Sequence, residues 1–125
     1  MARLAKVPVM DPSNPQEARE MVKLALDLSE EFMIPVILRP AIRVCHARQN
    51  LIWDVIKTNN SKASFKKDPG RWAATPRFRL ILHGELNQKL KKIEAEFEKL
   101  TRFNFHDLNP GKKVPLGIIA GGVPY

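Results

Sequence analysis

One stretch limits what this chain can fold into more than any other: DPSNPQEAREMVKLALDLSEEFMIPVILRP, residues 11–40. Residues 11–13 are turn chemistry, because Asp and Ser side chains hydrogen-bond the local backbone and Pro12 fixes φ. Asn14 suits the N-cap of a helix, and Pro15 suits its first position, where a missing N–H costs nothing. Glu17, three residues after Asn14, allows a capping box. Ala18, Met21, Val22, Ala25, Leu28 and Phe32 then recur at three- and four-residue spacing as one apolar stripe, with Arg19, Glu20, Lys23, Asp27 and Glu30 largely outside it. This predicts an amphipathic helix. Ile34-Pro35-Val36-Ile37-Leu38 follows as an unbroken apolar run, the pattern of a strand buried on both faces of a parallel sheet, and Pro40 ends it. A helix followed by such a strand is the second half of a crossover unit. The strand that should open that unit has little to draw on beyond residues 7–10, VPVM.

A second strong helix is predicted over 82–103. Leu86, Leu90, Ile93, Phe97 and Leu100 repeat at spacings of four, three, four and three, a coiled-coil-like seam with Lys91, Lys92, Glu94, Glu96, Glu98 and Lys99 outside it. Two heptads are too few for a true coiled coil, so the helix packs on its own domain or serves a subunit contact. The rest is less patterned. AIRVCHARQN reads as a loop at the carboxyl end of the apolar run, and residues 51–60 as a short helix or strand. Residues 59–74 read as a polar, basic excursion with a turn at Asp68-Pro69-Gly70. Asn109-Pro110-Gly111 is another turn, residues 116–120 read as a buried strand, and Gly121-Gly122 as a turn where backbone comes close to something. The expected fold class is α/β, a partial parallel sheet with two long helices.

The 125 residues suffice for one domain with a modest core, and 44% hydrophobic with 27% charged residues is a globular composition. No apolar run approaches the ~20 residues of a membrane span, and MARLAKVPVM is too short and broken for a signal peptide. The single cysteine, Cys45, excludes an internal disulfide framework and fits a reducing, cytoplasmic setting. The formal charge is +8, from 21 basic and 13 acidic residues. The basic residues are scattered and lack the aromatic interleaving of RNA platforms, so a solvated basic surface, or one that meets an acidic partner subunit, is favoured over nucleic acid. Ten prolines at element edges, with many Lys and Glu, hint at a thermophile.

Catalytic chemistry is hard to find. His46, His83 and His106 lie far apart without metal-ligand spacing, and no CxxC is present to hold an iron–sulfur cluster. Cys45 and His46 are adjacent, and on an extended segment such neighbours face opposite ways. Glu30-Glu31 and Glu94, Glu96 and Glu98 read as solvated helix faces. Gly121-Gly122 lacks the spacing of a phosphate-binding loop. Arg39, Arg43 and His46, with Arg48, follow the apolar run, and crevices at strand carboxyl ends are where open α/β sheets bind ligands. They are the candidate residues for anion or interface contact; no catalytic residue, no metal ligand and no identified cofactor ligand is assigned.

Three pieces together resemble a known family: residues 8–40, the following IRVCHAR, and the terminal GIIAGGVPY. They are similar to the alpha subunit of archaeal indolepyruvate:ferredoxin oxidoreductase, one of the thiamine-diphosphate-dependent 2-oxoacid:ferredoxin oxidoreductases. The resemblance runs from about Val7 to Tyr125, and implies an internal fragment or truncated homologue of a longer subunit. It divides the chain into the end of a pyrimidine-binding-type α/β domain (1–48), a linker segment with the long amphipathic helix (49–115) and the first strand of a following domain (116–125). Two departures stand out. Pro40-Ala41-Ile42 replaces the threonines the family tends to have after Arg39, and Pro124 opposes the helix expected after the last strand. By resemblance the parent reaction is oxidative decarboxylation of aryl 2-oxoacids to acyl-CoA with ferredoxin as acceptor. Its thiamine diphosphate, magnesium and iron–sulfur clusters would all be held outside this chain, which is expected to be inactive alone. Whether it is an enzyme in its own right stays open. A homo-oligomer or an oxidoreductase subunit is the expected state. The alternative is a stand-alone interaction protein, made sticky by the half-covered strands 34–38 and 116–120.

Overall fold

A computed structural model describes residues 2–55, 62–73, 75–105 and 115–124. The turn expected at 109–111, His106, and residues 56–60 lie outside the described residues. The elements are α1 (Ala2–Ala5), β1 (Val9–Met10), α2 (Pro15–Phe32), β2 (Ile37–Leu38), α3 (Ile42–His46), α4 (Pro69–Trp72) and α5 (Pro76–Lys99). The class is mixed α/β, with a two-stranded parallel sheet.

Helix α2 starts as its sequence asks, with one difference. Asn14 is extended, and its Oδ1 accepts the Glu17 N–H at 3.0 Å. The Glu17 carboxylate does not close the box on Asn14. It turns back one residue further, accepting from the Ser13 N–H at 2.5 Å and the Ser13 hydroxyl at 2.6 Å. The helix ends at Met33, held in the left-handed region at φ 47° and ψ 54°. The Ser29 carbonyl accepts both the Met33 N–H and, at 3.3 Å, the Ile34 N–H. This hydrogen-bond pattern caps orphan carbonyls and redirects the chain toward β2.

The apolar stripe faces the core, with one member exchanged. Met21 and Leu28 are buried with Met10, and Leu24, Ala25, Phe32, Val36, Leu38, Phe97 and Phe103 pack around them. Val22 is exposed instead. At roughly 100° per residue, Val22 lies about 100° from Met21, whereas Leu24 lies only about 60° from it on the other side.

The strands depart most from expectation. β1 and β2 pair in parallel register, Val9 with Ile37 and Met10 with Leu38, over two residues each. Residues 34–38 are not covered on both faces. Ile34 is buried and Val36 and Leu38 are half-buried on the α2 side, while Pro35 and Ile37 are exposed, Ile37 at 40%. Successive side chains of extended backbone alternate sides, and among the described residues only α2 lies over this pair as a layer. Residues 116–120 are not a buried strand. Among the described residues they pair with no strand, and Leu116, Ile118 and Ile119 are 72%, 82% and 103% exposed. An apolar run makes a strand only where a sheet edge receives its backbone.

Helix α5 begins six residues before the expected start and ends at Lys99. Pro76 takes the first position after Thr75, which gives no side-chain cap. Leu80 and Ile81 lie exposed in the added turns, so the seam did not reveal them. The seam itself faces inward: Ile93 is buried, and Leu86, Leu90, Phe97 and Leu100 are half-buried. Lys6 ties α1 to this helix, its ammonium lying 2.6 Å from both His83 Nε2 and Asn87 Oδ1.

Candidate anion and interface site at the strand ends

Parallel strands in register deliver the residues that follow them to one end of the sheet. Asp11 follows β1 and Arg39 follows β2. The Arg39 N–H donates to the Met10 carbonyl at 2.8 Å, extending the pairing by one step. The Arg39 guanidinium donates to the Asp11 carboxylate as an ion pair. Arg39 is thus partly neutralised, and Asp11 is the residue the sequence reading missed. Its signal was a carboxylate immediately after a short apolar pair and before a proline.

Arg43 and His46 lie on α3, a short helix rather than the expected loop, anchored by buried Val44. Being three apart they share one side of its single turn. Both are exposed, as is Arg48, and among the described residues none of the three is held by a hydrogen bond or ion pair. The structure therefore separates the candidate group: Arg39 is tied to Asp11, while Arg43 and His46 stand free on α3. Cys45 is also exposed on α3. On this helix successive side chains are set about 100° apart, in place of the alternation of extended backbone. Among the described residues no three His, Cys, Asp or Glu side chains come together to hold a metal ion.

The close approach expected at the glycine pair occurs at Gly122. It is buried at φ +65°, and a Cβ there would lie 2.9 Å from Asp11 Oδ1. Nothing lies within 4 Å of a Cβ built on Gly121.

Beyond α3, residues 49–54 run along the outer side of α2. Gln16 accepts from the Ile52 N–H at 3.0 Å, and its own N–H donates to Gln49 Oε1 at 3.1 Å. Arg19 donates to the Ile52 carbonyl at 2.9 Å and lies 5.1 Å over the Trp53 ring. Asp54 pairs with Lys23 at 2.8 Å and Arg19 at 3.5 Å. The hydrogen bond and charge of Lys23 hold the Asp54 carboxyl below the ordinary carboxylate range. These partners sit at positions 16, 19 and 23, one side of α2, which leaves Met21, Leu24 and Leu28 to the core.

Among curated proteins the chain is 39% identical over 123 residues to the indolepyruvate oxidoreductase subunit IorA of Methanothermobacter marburgensis, covering 97% of this chain and 19% of that protein. It is 39% identical over 129 residues to the IorA subunit of Thermococcus kodakarensis (99% and 20%), and 35% identical over 124 residues to that of Archaeoglobus fulgidus (98% and 19%). Nearly the whole chain is a relative of one segment of the IorA subunit. It spans about a fifth of the length of the IorA subunits it matches. No family model and no solved structure matches it.

Proposed function

We propose that this chain is the counterpart of one segment of an IorA subunit and works as part of an oxidoreductase assembly, not as a catalyst by itself. The observation that carries this reading is the alignment of nearly the whole chain with a fifth of each relative. The exposed apolar residues around the strands support it, because a segment taken from a broader sheet leaves such surface bare. On this reading residues 1–48 close a pyrimidine-binding-type domain, 49–115 form the linker, and 116–125 open the next domain, in a thiamine-diphosphate-type fold within the cytoplasm. No described helix is long and apolar enough to cross a membrane.

The parent reaction, as the resemblance implies, decarboxylates aryl 2-oxoacids oxidatively with ferredoxin as acceptor. Thiamine diphosphate would supply the carbanion chemistry. The strand-end cations suit an anionic group, but the single carboxylate there is already paired to Arg39, and among the described residues no acidic cluster gathers to hold magnesium. No chemical step is therefore assigned to this chain. Arg39, Arg43 and His46 act as contacts to an anionic group or to an acidic neighbouring surface. The test is an assay of the purified chain for indolepyruvate-dependent, coenzyme A-dependent reduction of ferredoxin or a low-potential dye. No turnover is expected, and sustained turnover would overturn the proposal.

A second reading has its own observation. Ile37, Ile118 and Ile119 are exposed together with Ile52, Trp53 and Val55. This much bare apolar surface favours a stand-alone interaction protein that self-associates. A stable monomer in sedimentation at high concentration would remove that reading.

A further inference from the structure

We infer that residues 115–124 form a strap that rests at the carboxyl ends of β1 and β2, and that Gly122 against Asp11 is its latch. The strap has little else to hold it. Residues 115–121 are exposed, and no hydrogen bond or ion pair joins 115–124 to the other described residues. Within it only Gly122 is buried, followed by half-buried Val123.

Two independent features favour glycine at the latch. A φ of +65° is strained for any residue with a Cβ. The Asp11 carboxylate also fills the place of that Cβ, with Oδ1, Cγ and Oδ2 at 2.9, 3.0 and 3.2 Å. Arg39 holds its other oxygen, so a Cβ at position 122 would have to displace the carboxylate and disturb that ion pair. Gly121 shows the contrast, with open space where its side chain would stand. Residues 122–123 thus rest against Asp11 at the end of the sheet where open α/β folds take ligands, while the Arg39 side chain beside it stays 70% exposed. Arg39 governs that contact through Asp11 and is in this respect a positioning residue.

The test is backbone dynamics by 15N NMR on the full chain. In the unaltered protein the heteronuclear NOE of Val123 should match that of α2, while that of Ile118 should be tail-like. Gly122→Ala should drop the Val123 value to the tail level, with α2 amide shifts unchanged to show that the fold is intact. Gly121→Ala should leave it as it was. Arg39→Gln, which frees the Asp11 carboxylate to move, should lower it part of the way. A tail-like Val123 in the unaltered protein would overturn the strap. A Gly122→Ala chain that keeps Val123 as rigid as α2 would overturn the latch.

Discussion

Asn14, Ser13 and Glu17 settle the first turn of α2 between them, and each acts through a single oxygen. Asn14→Ala leaves the Glu17 N–H without its acceptor, and should cost about 1 kcal/mol in a denaturant titration, while Asn14→Ser should be nearly neutral. Asp54 offers a test of pH dependence. Its folded-state pKa lies below the ordinary value because Lys23, and more weakly Arg19, favour the carboxylate. Its pairing therefore contributes above the ordinary carboxylate range and fades as pH falls through the lowered folded value. A 13C titration of the Asp54 carboxyl should show a midpoint below that of a free aspartate, and Lys23→Met should move it back up. An unshifted midpoint would show that residues 49–54 do not rest on α2 in solution. The sequence shows the Asn14 cap because capping depends on residues three apart. It does not show Asp54 meeting Lys23, since those residues are 31 positions apart.

Among the elements, α2 carries most of the core, with Met21 and Leu28 buried beside Met10. Leu28→Ala should destabilise the chain by roughly 2–5 kcal/mol, read from thermal or denaturant unfolding, because the cavity forms where α2, β1 and α5 residues meet. Val22→Lys on the outer side should change stability by less than about 0.5 kcal/mol. The helices were legible because their period lies within one segment. Residues 86–100 placed the seam of α5 correctly, while Leu24 and Val22 changed places on α2 because a stripe at mixed spacing leaves its edges open. The strands were less legible. Whether residues 34–38 are covered on one face or two depends on which layers lie above and below, and 116–120 lacks the edge that would make it a strand. The helix at 42–46 carries no apolar period beyond Val44, so nothing in its spacing set it apart from a loop. At the site, the region after β2 was foreseeable from charge, but the pairing of Arg39 with Asp11 was not, since parallel register brings them together across 28 residues.

For the molecule as a whole, the balance of buried and bare apolar side chains decides behaviour. Among the described residues six hydrophobic side chains are buried and seventeen large ones are exposed. That is a small core for a chain with so much apolar surface, and it predicts association at moderate concentration. Sedimentation velocity should show a weight-average coefficient that rises with loading. Ile118→Lys with Ile119→Lys should reduce that rise without altering the melting temperature, because neither side chain is buried. An unchanged concentration dependence would place the adhesive surface elsewhere. The +8 charge does not prevent this association, since surface charges are screened beyond about 10 Å at moderate salt. Such assemblies are open to a direct count. The chain has one thiol, Cys45, and it stands exposed on α3. Maleimide chemistry would therefore attach one dye per copy, and the number of photobleaching steps in each immobilised particle would read its stoichiometry without any engineered handle.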